Sequence, residues 1–352
     1  MDTFNGIQRL HMFMGWQCNV RCAMCYQTDF SDRFNMSSEI YRDALKNCWP
    51  RMKRIKIHGG EPTVMKNCID LVEILTHYEN PKFSISTNGI VLSKFWKESL
   101  LSNGEAINFS INAARKETYD QIVKHGNHER VLGNIESLVA ARSAGKSSLA
   151  ITISTVVLEN NIFELDELIH LAHKLGVDGV KFGTDNYLTF NAKSERSQIH
   201  RAIDAAFEAA ARTGLMVEGL GALGRGYEMN LDDKKLPQEL LASSKPRQVC
   251  PIPFKSLAVD ADGTVRPCCN TWIKAGNLKQ ESIESIIHGK ILEKYRSKLN
   301  RGDYSWCIPN CLDNPRPSKT AIMRKYVSYL RDDPVRFLTK VRRKLAFKAA
   351  SL

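Results

Sequence analysis

No uninterrupted apolar run in this 352-residue chain approaches the ~20 residues that a membrane-spanning helix needs, so no transmembrane anchor is expected. The N-terminus lacks the charged-then-apolar pattern of a secretory leader, which points to the cytoplasm. Internal repeats and low-complexity tracts are absent. What remains is ordinary for a soluble globular protein, 43% hydrophobic and 25% charged, and long enough for one barrel-sized domain plus a smaller one. Ten cysteines in a leaderless chain favour metal or redox chemistry over a disulfide framework. The net charge of +12 is concentrated at one end: residues 316–352 hold 11 Lys or Arg against Asp332 and Asp333. The body is close to neutral, and nucleic-acid binding is not expected of it.

A fourth cysteine is missing where three stand together, in Cys18-Asn-Val-Arg-Cys22-Ala-Met-Cys25-Tyr26. Structural zinc closes its shell with four ligands, whereas a cluster held by three thiolates leaves one iron free for a small molecule. Further on the chain writes His58-Gly59-Gly60-Glu61-Pro62. Paired glycines let backbone approach a ligand closely, and a lone carboxylate can receive an ammonium group.

From Leu10 to about Gly221 short apolar runs alternate with amphipathic stretches, the pattern of βα units around a parallel sheet. Strands are expected at 10–15, 54–58, 82–87, 106–111, 149–157 and 179–183, with an extra one at 215–219. Helices are expected at 38–49, 67–78, 93–102, 129–143, 163–175 and 194–213. Residues 226–247 read as a linker. A hairpin over Ser256–Arg266, turning at Asp262-Gly263, and a helix over Ile283–Leu299 open a second module.

Cys-x3-Cys-x2-Cys-aromatic followed by Gly-Gly-Glu-Pro resembles the radical S-adenosylmethionine (SAM) superfamily. Cys250-Pro-Ile-Pro-Phe, Gly263-x4-Cys268 and Cys307-x3-Cys311 resemble that superfamily's SPASM/twitch extension in its short, single-cluster form. The resemblance implies an α/β fold, a partial (β/α)6 barrel over residues 8–225, then a small α+β auxiliary-cluster domain over 248–315 and a basic, helical tail over 316–352. It implies a [4Fe-4S] cluster on Cys18, Cys22 and Cys25 that binds SAM, and one auxiliary [4Fe-4S] cluster on Cys250, Cys268, Cys307 and Cys311. Zinc on the same four thiolates is the alternative for the second site. SAM contacts are implied for Tyr26, Gly59, Gly60, Glu61, Ser86, Asn88, Ser110 and Asn112, and more weakly for Asn161. Many relatives have Asp where Asn112 stands, which leaves a charge-dependent role there open. Cys269, beside Cys268, is a spare thiol, an alternate ligand or a hydrogen-atom donor. Cys48 and Cys68 fall in helical patterns and read as small buried hydrophobes.

The activity this implies is reductive cleavage of SAM to a 5′-deoxyadenosyl radical and hydrogen abstraction from a substrate, with an electron from a reductant such as flavodoxin or ferredoxin. A carbohydrate-like small molecule, oxidised or epimerised, is one substrate class, and a precursor peptide or protein is the other. Only nine residues precede Leu10, an expectation against a built-in leader-peptide-binding domain. A non-enzymatic iron-sulfur or zinc scaffold is the third reading. Lys181, Asp185, Asn186 and Tyr187 at the end of the sixth strand, and His58, are candidate cavity residues, each with an equally plain role as a turn or structural residue. The tail's apolar face (Phe337, Leu338, Val341, Leu345) suits either peripheral contact with an anionic membrane or docking on the protein itself.

Overall fold

The structure, a computed structural model, describes residues 4, 6–25, 27, 30–184, 196–220, 223 and 249–307. Tyr26, Asp185, Asn186, Tyr187, the 226–247 linker, Cys311 and the 316–352 tail lie outside the described residues. Seven parallel strands come from the first two thirds of the chain: β1 (Arg9–Phe13), β3 (Arg54–His58), β4 (Lys82–Thr87), β5 (Gly104–Ser110), β7 (Ala150–Val157), β8 (Gly179–Thr184) and β9 (Met216–Glu218). The short β2 (Arg21–Cys22) and β6 (Val123–Lys124) form a separate antiparallel ribbon.

Alternation explains the strands. Leu10, Met12, Ile55, Ile57, Phe83, Ile85, Ile107, Phe109, Ile151 and Ile153 are all buried, while their neighbours His11, Lys56, Ser84, Asn108 and Thr152 are only half-buried. One face is therefore sealed under helices and the other is left polar. The helices are α1 (Lys66–Thr76), α2 (Lys94–Asn103), α3 (Lys116–Ile122), α4 (His128–Ala144), α5 (Leu165–Leu175) and α6 (Arg196–Thr213). In α5 the signals agree at every level: Asp166 and Glu167 in the first turn, Lys174 in the last, Leu168, Ile169 and Ala172 buried, and Gly176 ending the helix at φ +72°.

The second module continues the barrel sheet. Its strands β10 (Ser256–Val259), β11 (Thr264–Arg266) and β12 (Gly276–Asn277) extend the order to β12-β11-β10-β1-β3-β4-β5-β7-β8-β9. β10 runs parallel to β1, with Leu10 opposite Leu257 and Met12 opposite Val259. β1 thus has a strand on each side, and β10–β12 extend the sheet beyond its edge.

Two expected helices take another form. Residues 38–49 give a widened π-type turn at Glu39–Ala44, marked by the Leu45 N–H to Ile40 carbonyl bond of 3.1 Å, and then a 3-10 turn at Trp49–Arg51 that contains Pro50. The expected helix at 283–299 is two, Ile283–Ile287 and Lys290–Asn300, broken where Gly289 adopts extended dihedrals and becomes the N-terminal cap of the second. α3 and the β2/β6 ribbon were not expected. Among the described residues no helix is long and apolar enough to cross a membrane.

Candidate functional site

The loop after β1 carries Cys18, Cys22 and Cys25, and the loop after β3 carries Gly59-Gly60-Glu61. The two loops are zipped by backbone bonds: Met14 N to His58 O (2.8 Å), Gly60 N to Gly15 O (2.9 Å) and Glu61 N to Gln17 O (2.8 Å). A Cβ on Gly60 would collide with the carbonyl oxygens of Gln17 and Trp16. The space that Gly60 leaves is filled by the cysteine loop's own backbone, so Gly60 also seats that loop. Its far side is held by the ribbon, where Cys22 lies opposite Val123 and Ala23 N bonds Ile122 O at 2.8 Å.

Glu61 is fully buried and its carboxylate is occupied. Oε1 accepts from Thr63 N (3.0 Å), Thr63 Oγ1 (2.6 Å) and Thr87 Oγ1 (2.7 Å), and Oε2 accepts from Asn88 N (2.6 Å). Burial raises its pKa, partly opposed by these four bonds. The side chain thus ties the β3 loop to the end of β4, a structural load the expectation of a free ammonium acceptor did not include.

The other expected SAM contacts separate into two kinds. Ser86 and Ser110 are half-buried on the polar face at strand ends. Asn88 is buried and donates to Asn19 Oδ1 in the cysteine loop at 2.8 Å. Asn112 is buried with its Oδ1 accepting from Val156 N (3.0 Å), and Asn161 donates to the Asn112 and Val156 carbonyls at 2.7 and 2.9 Å. The Asn112 carbonyl oxygen and the Asn161 amide thus brace β5 against β7.

The donor set of the first site fits an iron cluster. Burial raises the Cys22 pKa to about 12, helped by Cys25 and Cys18, and Cys18 is raised by burial as well. Buried thiols raised in this way become good ligands only beside a strong positive charge. Among the described residues no three His, Cys, Asp or Glu side chains converge closely enough for one metal ion.

Cys250, Cys268 and Cys307 meet in a second place. They line one cavity of about 100 Å³ with His11, Cys269, Tyr295 and Tyr304. Each comes from a different segment: the turn before Ile252–Lys255, the end of β11, and the loop after Lys290–Asn300. Hydrogen-bond contacts to the sulfurs include Tyr295 OH to Cys307 Sγ at 3.2 Å and Asn270 N to Cys268 Sγ at 3.3 Å. Such bonds are the usual surroundings of cluster thiolates. Hydrogen bonding to Cys268, and then to His11, holds the Cys269 thiol well below its ordinary range despite burial.

The polar strand face reaches the second site through His11. His58 stacks on Phe13 (4.9 Å between centroids) and on His11 (5.7 Å), and Arg266 sits over Phe13 at 5.3 Å. Burial, then the Lys56 and His11 charges, keeps His58 far below its ordinary pKa. Lys181 is exposed and pairs with Glu218 at 3.1 Å. Cys48 and Cys68 are buried under helices, as expected. His11, Lys56 and Tyr295 were missed as site residues. His11 had a visible signal, a polar residue alternating with Leu10 and Met12 in a strand next to the cysteine run.

A parallel barrel sheet with one cysteine set in the loop after β1, and a second cysteine set around the hairpin added to its edge, makes an α/β protein with two cysteine sites. Residues 14–172 match the radical SAM superfamily, and residues 250–312 match SPASM, the iron-sulfur cluster-binding domain. The chain carries a radical SAM superfamily domain followed by a C-terminal SPASM domain, and these two domains imply SAM and [4Fe-4S] clusters as cofactors. Among curated relatives, GTP 3′,8-cyclase of Clostridium perfringens strain SM101 is 30% identical over 181 residues, 49% of this chain and 54% of that protein. Probable GTP 3′,8-cyclase of Methanocaldococcus jannaschii is 25% identical over 173 residues, 48% and 56% of the two chains. The chain spans about half the length of the curated relatives it matches. Among solved structures, Streptococcus suis SuiB bound to precursor peptide SuiA superposes with TM-score 0.59 at 14% identity, covering 83% of this chain and 67% of SuiB. Native anSMEcpe with bound AdoMet gives 0.59 at 15% identity, covering 94% and 98%. At these identities the likeness is one of fold.

Proposed function

We propose that the polar strand face between the two cysteine sites is the reaction chamber of an enzyme that abstracts hydrogen from a carbohydrate-like small molecule and thereby oxidises or epimerises it. In this reading Cys18, Cys22 and Cys25 hold the [4Fe-4S] cluster that binds SAM. Gly59, Gly60, Ser86, Ser110 and Tyr26 border SAM, with Glu61 and Asn88 fixing the loops around it. Cys250, Cys268, Cys307 and Cys311 hold one auxiliary [4Fe-4S] cluster. When bound, these groups supply reductive cleavage of SAM to a 5′-deoxyadenosyl radical and one-electron transfer, the electron coming from a reductant such as flavodoxin or ferredoxin.

One observation carries the substrate class. Along β4, β5 and β7 the half-buried face includes Ser84, Ser86, Asn108, Ser110, Thr152 and Ser154, with Asn108 bonded to Ser154 (2.7 Å) and Thr152 (3.1 Å). A wall of hydroxyls and an amide satisfies the hydroxyls of a saccharide and penalises an apolar ligand. These side chains orient the substrate, the neutral His58 borders it, and Cys269 is the candidate hydrogen-atom donor for an epimerisation.

The test is label transfer. Anaerobically reconstituted enzyme, reduced in the presence of SAM and C-deuterated saccharides, should form 5′-deoxyadenosine that carries deuterium. Deuterium arriving only from short peptides would move the substrate to the precursor-peptide class, the reading that SuiB, solved with SuiA, favours. Absence of any SAM cleavage would return the chain to the scaffold reading.

A further inference from the structure

An aromatic pair stands in solvent beside the first cysteine loop. Trp16 is 40% exposed and Phe34 is 43% exposed, and their rings meet at 5.1 Å between centroids. Both are anchored. The Trp16 carbonyl accepts from Gln27 Nε2 at 2.7 Å, and Asn35, next to Phe34, donates to Gln17 Oε1 at 3.0 Å. Cations surround the pair. The Arg33 guanidinium sits over the Phe34 ring at 4.7 Å, and that of Arg21 over Phe30 at 3.7 Å. Lys124 lies opposite Arg21 in the β2/β6 ribbon, and Arg21, Arg33 and Lys124 are all exposed. Asp32 is the one acid within residues 16–25 and 30–35, and the neighbouring Asp120 is paired with Lys116 at 2.6 Å. Exposed aromatic rings with Arg among them are the enriched composition of binding surfaces.

This surface adjoins the thiols. Trp16 precedes Cys18 by two residues, at most ~7 Å of backbone. Arg21 adjoins Cys22 in the chain and donates to the Cys18 carbonyl at 3.0 Å. Cys18, Cys22 and Cys25 are half-buried, whereas Cys250 and Cys268 of the second site are buried. A donor that docks here therefore stands within a few residues of the first cysteine set.

Charge selects the occupant. The basic 316–352 segment has the same sign as Arg21, Arg33 and Lys124 and is repelled by them, whereas an acidic protein is attracted. The small apolar centre suits the limited interface of a transient electron-transfer encounter. We infer that Trp16, Phe34, Arg21, Arg33 and Lys124 form the docking surface for an acidic one-electron carrier protein. The carrier gives up one electron and the cluster on Cys18, Cys22 and Cys25 gains it. This rests on the cluster reading of those cysteines given above and adds where the reductant binds.

The probes are a flavodoxin of net negative charge and titanium(III) citrate, a small chemical donor, each applied to anaerobically reconstituted enzyme. The Arg33→Glu, Lys124→Glu double variant should bind flavodoxin about tenfold more weakly by calorimetry at low ionic strength, and its difference from the wild type should shrink as salt is raised. Phe34→Ala should weaken binding about fivefold at every salt concentration. Both variants should keep wild-type iron content, SAM affinity and rate of cluster bleaching by titanium(III) citrate. Wild-type flavodoxin affinity in both variants overturns the proposal. So do equal losses of bleaching rate with the two donors, which would assign these residues to holding the cysteine loop in place. A wild type whose first cysteine set holds no iron contradicts the cluster reading itself, and the proposal with it, whatever the flavodoxin affinity.

Discussion

The Thr87 hydroxyl donates to the Glu61 carboxylate at 2.7 Å, and this bond joins the loop that seats the cysteines to the end of the neighbouring strand. Removing the carboxylate leaves Thr63 N and Asn88 N buried without an acceptor, at about 1–3 kcal/mol each. Glu61→Ala should therefore lower the melting temperature sharply, Thr87→Val less, and SAM affinity should fall in step with stability. An Ala variant with wild-type melting and lost SAM affinity would mean that the carboxylate meets the ligand directly.

His58 supplies a pH test. Burial, Lys56 and His11 hold its pKa well below the ordinary value, so the folded state keeps it neutral while the unfolded chain takes up a proton near pH 6.5. A depressed folded pKa on a base means stability present above that pH and lost as pH falls through it. The loss amounts to about 0.8 kcal/mol between pH 8 and pH 6. His58→Phe keeps the stack on Phe13 and removes the titration. Its denaturant midpoint should fall less than that of the wild type over the same interval, and equal falls would show that His58 does not titrate in this way.

At the second site the Tyr295 hydroxyl lies 3.2 Å from Cys307 Sγ. A donor on a cluster thiolate stabilises the more negative, reduced state. Tyr295→Phe should shift the auxiliary midpoint to lower potential by up to ~40 mV, the one-electron equivalent of a bond of about 1 kcal/mol. Electron paramagnetic resonance during a redox titration reads this, and an unchanged midpoint would remove the hydrogen bond from the account.

The strands were legible because runs such as Ala150–Val157 alternate cleanly and are bounded by turn residues. The cysteine motifs were legible because ligand spacing is local. Gly289 was a readable break in the helix expected at 283–299. The widened turn at 39–44 was not, since its apolar residues, Ile40, Tyr41 and Leu45, fit an ordinary helix equally well. Glu61, Asn112 and Asn161 show where a sequence falls short: each looks like a free polar group at a strand end, and only the fold reveals which donor or carbonyl has already claimed it. His11 became a site residue once β10 paired with β1 and brought the second cysteine set beside it, a pairing between segments distant in sequence.

The central claim is that two separate cysteine sets hold two clusters, one of which serves SAM. Iron counting on anaerobically reconstituted protein tests it most directly, since two [4Fe-4S] clusters need about eight irons per chain. The Cys18, Cys22, Cys25 triple-alanine variant should retain about half of that iron and lose SAM cleavage, while the Cys250, Cys268, Cys307 and Cys311 variant should also keep about half and still bind SAM. If the first variant keeps all its iron, or the second loses everything, the assignment of the radical cluster is contradicted.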